Sequence, residues 1–316
     1  MSQIGVFVRL NDKDFFVATT QNQTTMFKNS YFLLLLTLAI PRMALAQNPI
    51  NIDEYKVIDQ SRFIVTYEAM MTKDSLAPTE HKFDRLVLMV GDSISTCYSN
   101  TMHRFDSAYT IRCAHKGRDS YQGLRHFVGE NGDVWVPDVY KYYVKKQMTV
   151  MYRMEVPGNF VPVYLYEEPL DLMDWQMSFE TMEILGYQCF KAECDFRGRH
   201  WTAWFTMQIP VQDGPWKFCG LPGLILQMEE SRGHYAFRCI GIETQKKPIA
   251  WYNDVDYQSC THADVVKQME DYHADWNAYV RRAFPGKIVR AKNDGSFEKV
   301  SVGEKKVLPY NPVELE

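Results

Sequence analysis

Phe83–Ser95, FDRLVLMVGDSIS, sets Gly91-Asp92-Ser93 at the end of an apolar run. A serine on a tight turn after a buried strand is where a hydroxyl nucleophile meets substrate, provided that a His and an acid stand behind it. Ser93 is therefore the candidate nucleophile. Against it, Ile94, Ser95, Thr96, Cys97 and Tyr98 favour a strand, not the helix that such a turn needs. Asp and Ser also bond their own backbone, so Asp92-Ser93 reads first as a hairpin turn. Met148, Met151 and Met154 repeat at a spacing that could offer thioethers to a soft metal. On a strand, however, Met148 and Met154 point one way and Met151 the other, so core packing is the better reading. The eight His and seven Cys contain no H-E-x-x-H and no C-x-x-C. The expectation is no metal, no cofactor and no assigned catalytic residue.

The other chemically suggestive stretch is Pro210–Gly223, PVQDGPWKFCGLPG. Gly214, Pro215, Gly220, Pro222 and Gly223 give it a stiff, sharply turned course, because Gly supplies positive φ and Pro lowers the entropy lost on ordering. Trp216, Phe218 and Leu221 either plug one end of a sheet or contact a ligand or partner; ordered long loops are disproportionately functional. Nothing next to Cys219 would depress its pKa, which argues against a nucleophile there. The two strands before the loop carry Arg197, Arg199, His200, Thr202, Trp204 and Thr206 on what reads as the non-core side. That side is either a solvated sheet face or a recognition surface anchored by Arg197, Arg199, His200 and Trp204.

Period-two alternation dominates the elements that must position these residues. Phe63–Met71, Met148–Val156, Phe190–Arg197 and Trp201–Ile209 each alternate apolar and polar residues, as half-buried antiparallel strands do. Leu224–Glu230 and Tyr235–Ile242 follow, joined through Ser231-Arg232-Gly233. One helix is clear: Thr261 with Asp264 is its cap, Val265, Val266, Met269, Tyr272, Trp276, Tyr279, Val280 and Phe284 recur at helical spacing, Arg281 and Arg282 fill the last turn, and Pro285-Gly286 stops it. Asn100–Ala114 is a weaker second helix. The expected fold is mainly β or α+β, a twisted antiparallel sheet with a C-terminal helix packed on it.

The chain has 316 residues, 35 Lys+Arg and 39 Asp+Glu, a net charge of -4, with 46% hydrophobic and 23% charged residues. That composition is globular, and a slightly acidic chain has no electrostatic reason to bind nucleic acid. Met26–Gln47, MFKNSYFLLLLTLAIPRMALAQ, reads as a secretory signal: Lys28, a ten-residue apolar run over Tyr31–Ile40, then Ala44-Leu45-Ala46. The run is too short to span a bilayer, which takes about 20 residues. Residues 1–25 then read as a mis-assigned start or a disordered leader, residues 26–46 as the signal peptide, and residues 47–316 as one exported domain without a transmembrane span. Losing Arg9, Lys13, Lys28 and Arg42 against Asp12 and Asp14 takes the exported part to -6. Cys189 and Cys194, five residues apart on one strand, would stand about 16 Å apart and cannot pair, since a disulfide needs about 7 Å.

Gly220-Leu221-Pro222-Gly223-Leu224-Ile225 spells the name of the GLPGLI family of exported bacterial proteins, and the chain resembles that family beyond the hexapeptide. Gly186-Tyr187-x-Cys189, Phe196-Arg197-Gly198-Arg199, Ala203-Trp204-Phe205-Thr206, Asp213-Gly214-Pro215-Trp216-Lys217-Phe218 and Asn311-Pro312-Val313-Glu314-Leu315 are similar to its pattern. The resemblance implies a signal peptide, a β-rich domain and a place on the periplasmic or extracellular side of a bacterial envelope, and it names no reaction. Gly91-Asp92-Ser93 separately resembles the nucleophile block of GDSL-type esterases. Their Asp-x-x-His is missing, because Glu270 stands three residues before His273. The function expected first is thus a non-enzymatic envelope module that uses the 197–223 region to hold an unknown partner or an apolar ligand. A Ser93 hydrolase is the alternative.

Overall fold

The computed structural model describes residues 4–10, 13–19, 50–116, 137–153, 163–253, 255, 257–283, 289–291, 297–299 and 303–315. The signal segment, Met154–Val156 and Pro285-Gly286 lie outside them, as does the side chain of Cys113. In chain order the elements begin with the hairpin β1 (Ile4–Leu10) and β2 (Lys13–Thr19), then β3 (Tyr55–Gln60), β4 (Phe63–Met71), β5 (Lys82–Val90) and β6 (Ile94–Ser99). Helix α1 (Asn100–Lys116) leads to β7 (Asp138–Tyr142), β8 (Gln147–Arg153), β9 (Val163–Pro169), β10 (Gln176–Ile184), β11 (Tyr187–Phe196) and β12 (Arg199–Thr206). Next come β13 (Leu224–Glu230), β14 (Tyr235–Glu243), β15 (Pro248–Tyr252) and β16 (Tyr257–Ser259). Helices α2 (His262–Ala274) and α3 (Trp276–Ala283) and the short strands β17 (Val289–Ala291) and β18 (Phe297–Lys299) complete the set.

Twelve strands form one sheet in the order β10-β11-β12-β13-β14-β4-β5-β6-β7-β8-β9-β16. Every pairing in it is antiparallel except the short parallel contact of β16 with β9. This is the β-rich α+β fold that the alternation predicts. Turn chemistry fixes the registers: Leu185-Gly186 and Arg197-Gly198 link β10 to β11 and β11 to β12 with positive φ at both residues, as a two-residue I′ hairpin loop requires.

A single hydrophobic cluster joins buried residues of β4–β9 and of β11–β14, so the sheet curls its apolar face around a common core. The loop between β12 and β13 fills that core. Phe218 lies against four rings: Trp201 at 4.7 Å, Trp216 at 5.2 Å, Phe237 at 6.0 Å and Phe196 at 6.1 Å between centroids. Gly223 passes so close to β12 that a Cβ would run into the Thr206 carbonyl, and Gly220, at φ +94°, packs under the Trp175 ring. The clash at Gly223 and the left-handed backbone at Gly220 explain why the hexapeptide needs glycine at both places.

Three expectations need correction. The single helix from Thr261 breaks at Asp275, whose carboxylate accepts the Ala278 amide at 3.0 Å and so caps a new helix; the Thr261/Asp264 capping box forms as expected. β8 has no wet face, because Met148 and Val150 enter the main core while Met151 enters a second cluster with Ile64, Met89, Tyr140 and Ile249. Arg199 is buried on the same side as Trp201 and Phe205, not on the open face with His200, and Thr206, although it alternates onto the other face, is fully buried as well. Arg199 follows a two-residue turn that resets the alternation, so it and His200 cannot share a face.

Candidate functional site

Lys141 on β7 and Asp213 in the long loop are 1% and 0% exposed and stand 2.5 Å apart. The Lys141 ammonium also donates to the carbonyls of Gly214 (3.0 Å) and Phe218 (2.9 Å). Asp213 accepts from Ser95 Oγ (2.5 Å), Tyr143 OH (2.6 Å) and its neighbour's amide, Gly214 N (2.7 Å). Close by, the Trp216 amide donates to Cys97 Sγ at 3.2 Å. Ser95, Cys97, Lys141 and Tyr143 thus tie the loop to β6, to β7 and to the residue that follows β7. Burial pushes the Cys97 thiol up to about 12 and the Cys219 thiol up to about 11, so neither supplies a thiolate near neutral pH.

The residues singled out from the sequence therefore divide. Trp216, Phe218 and Leu221 are buried in the core around the loop, with Gly214, Pro215, Gly220, Pro222 and Gly223 setting its course. His200 is exposed and its Nδ1 lies 2.9 Å from Asp195 Oδ1. Trp204 is half-buried between Lys191 and Gln227 in the register. Ser93 lies in the turn that joins β5 to β6. The Asp59 carboxylate accepts its amide at 2.8 Å and that of Ile94 at 2.9 Å. Among the described residues no His is hydrogen-bonded to the Ser93 hydroxyl.

Arg197 and Arg199 point to a different place. Arg199 donates to Asn311 Oδ1 (2.8 Å) and to the Pro312 carbonyl, lies 3.4 Å from Glu230, and stacks 4.9 Å over the Tyr235 ring. The Arg197 carbonyl accepts the Leu315 amide at 2.9 Å. Lys217, from the long loop, is fully buried and lies 2.6 Å from both Glu168 and Glu314. Glu314 also faces His262 Nε2 at 3.3 Å. Burial alone would push the Glu314 carboxyl up, but Lys217 and His262 outweigh it and hold it below the ordinary Glu range. Together these contacts clamp residues 311–315 against the sheet, and the Leu308 amide donates to the His273 carbonyl at the end of α2 at 2.9 Å.

The clamped segment closes one side of a cleft of about 320 Å³. Its floor is the sheet, through Met71, Tyr152, Tyr166 and Tyr235; α2 contributes Val265, Val266, Met269 and Tyr272; Leu308, Pro309, Tyr310 and Val313 complete it. The lining is largely apolar, and the Tyr152 hydroxyl donates to Met269 Sδ at 3.3 Å, seating the helix on β8. Glu168, His262 and Glu314 each offer one ligand atom within 4.8 Å of the others. The Lys217 ammonium already stands between the two carboxylates, with Arg197 2.5 Å from Glu168, so the protein's own cations fill the place that a metal would take.

At the other wall Arg153 pairs with Asp106 (2.9 Å) and Asp138 (3.4 Å), all three buried. Burial pushes Asp138 up to about 7, Asp106 adds to the shift and Arg153 opposes it. A carboxyl raised on folding stabilises below its unfolded pKa, and that contribution disappears as pH rises through the folded one. Asp138→Asn should therefore gain on the parent protein as pH goes from 5 to 8, by about 1–4 kcal/mol, or several degrees in Tm, read by differential scanning fluorimetry at both pH values. A Tm difference independent of pH would show that Asp138 ionises normally.

The sequence did not mark this cleft. Its helical wall was visible as an apolar stripe and its last wall as Asn311-Pro312-Val313-Glu314-Leu315, but nothing local says that the two meet.

A family model described as "Protein of unknown function (Porph_ging)" matches residues 197–227. That stretch holds the β11–β12 turn, the long loop and the start of β13. No curated protein sequence matches the chain. Two solved structures of PNGF-II, in the P21 and C2 space groups, are similar to it with TM-scores of 0.45 and 0.43 and 11% identity. Each match covers 68% of this chain and 34% of the other, so the chain spans about a third of the length of those structures.

Proposed function

We propose that the chain is an exported, non-enzymatic binding module of the GLPGLI type, which holds an apolar ligand in the cleft between α2, the sheet and residues 308–314. The observation that carries this reading is the cleft itself: about 320 Å³, largely apolar in its lining, and built from segments far apart in sequence. Small-molecule sites start at about this volume and have this kind of lining. The polar groups at its margin, His262 with Glu314 and Arg153 with its two acids, are engaged with one another. In this reading the 197–223 region supports the site without touching the ligand: Arg197, Arg199 and Lys217 hold the segment that closes it.

N-phenyl-1-naphthylamine, a neutral apolar fluorophore, should bind saturably with one site per chain. Met269→Trp, which fills the cleft from α2, should weaken binding about tenfold or more, equivalent to about 1.4 kcal/mol, with little change in Tm. Unchanged binding in a folded Met269→Trp protein would place the probe elsewhere and end this reading.

Export belongs to the same proposal. The Met26–Gln47 pattern supports translation from Met26 and a mature chain from Gln47, on the periplasmic or outer side of an envelope. No helix of the described residues is long and apolar enough to cross a membrane. Intact mass of the native protein tests the boundary.

A further inference from the structure

In the twelve-stranded sheet β10 is an end strand, paired only with β11 among the described residues. An end strand presents N–H and C=O groups along its outer edge that can accept another strand. The register sets Met177 opposite Ala192 and Met182 opposite Cys189, and Ala192 and Cys189 are both core residues. Ala192 and Cys189 stand three apart on β11, so Met177 and Met182 lie on opposite faces of the edge strand, and they are 62% and 37% exposed: neither face is covered past the last strand. Ser178–Glu180 bulge out opposite Lys191, and the bulge turns Phe179 wholly into solvent. Isolated exposed apolar residues are ordinary on any protein. Met177, Phe179, Met182 and Leu185 all fall within nine residues along one free edge, and exposed apolar side chains gathered in this way mark contacts.

Charge says what kind of contact. Residues 171–185 contain Asp171, Asp174, Glu180 and Glu183 and no Lys, Arg or His. Lys191 on β11 lies 3.2 Å from Glu180, but it is shared with Glu193 at 3.0 Å. Strand alternation puts Glu183 on the face opposite Met182. The geometry points to an edge that takes an extended peptide of a basic partner as an added strand. Its apolar residues cover Met177 on one face and Met182 on the other, and its Lys or Arg residues meet Glu183 beside the first and Glu180 beside the second. A second copy of this chain fits less well, because self-pairing would bring Glu180 and Glu183 of both copies to one seam, and like charges across strands repel. Main-chain bonds would supply affinity, and the alternating side chains selectivity.

The test is fluorescence anisotropy of the whole protein with a labelled eight-residue peptide in which pairs of valines alternate with pairs of lysine or arginine, so that each face of the strand carries both kinds. Saturable binding is expected, weakened about tenfold or more when glutamate replaces the basic residues, when the peptide is N-methylated at alternate positions, or when the protein carries Glu183→Lys. Glu183 is exposed and far from the core, so that variant folds. Absence of saturable binding, equal affinity for the acidic peptide, or indifference to Glu183→Lys overturns the inference. So does a dimer in sedimentation velocity that Phe179→Ser dissolves, which would seat a second copy on the edge.

Discussion

Asp213→Ala is expected to destabilise the protein by about 3–5 kcal/mol, because it leaves a buried ammonium with no counter-charge. Lys141 would keep only the carbonyls of Gly214 and Phe218, while Ser95 and Tyr143 would lose the carboxylate that accepts their hydroxyls. For a domain of this size each kcal/mol is worth about 2–4 °C, so Tm should fall by about 10 °C. Denaturant unfolding measures the same loss as a lower midpoint. The double variant Asp213→Leu with Lys141→Met removes both charges and should recover much of the stability, since a buried pair exchanged for apolar groups is often close to neutral. A single variant within about 1 kcal/mol of the parent would mean that the loop is held by its rings alone.

That lock shows where reading from sequence stops. Alternation in Phe63–Met71 and Tyr187–Phe196 gives strands because the side-chain period is a local property of the backbone. Thr261 and Asp264 give a helix start because both halves of a capping box lie within one turn. Asp213, by contrast, is an ordinary loop residue until the topology brings β7 beneath it, 72 positions away in the chain. Arg199 misled for a related reason: a solvated sheet face and a buried ion-pair network carry the same residue types, and only burial tells them apart. Met151 was legible as packing but not as the core of a second layer, since that layer is supplied by Ile249 and Trp251 on β15.

The cleft belongs to the same class of invisible feature. Tyr152, Tyr166 and Tyr235 come from three strands, and Val265, Met269 and Tyr272 from one helix face. Each stripe could be read as packing, and the volume they leave between them depends on how far α2 stands off the sheet. Residues 308–313 line the cleft beside that helix, and the long loop reaches the segment through the Lys217 ammonium, 2.6 Å from Glu314.

Lys217→Met, which keeps the stem and removes that ammonium, should cost about 3–5 kcal/mol and, before that, free the C-terminal segment. Glu168 and Glu314 would lose the cation 2.6 Å from each, with the half-buried Arg197 and His262 as the remaining counterweights. Hydrogen exchange separates local release from general weakening. The Leu315 amide, bonded to the Arg197 carbonyl, and the Leu308 amide, bonded to the His273 carbonyl, should lose protection while β4 and β5 keep theirs. The parent protein should approach the same state in acid: Glu314 is held below the ordinary Glu value, so its contribution is present above that value and is lost as pH falls toward the depressed one. Because residues 308–313 close the cleft, N-phenyl-1-naphthylamine affinity should fall in Lys217→Met as tail protection does. Loss of tail protection with undiminished affinity would detach the cleft from the clamp, and would place the apolar site on the sheet and α2 alone.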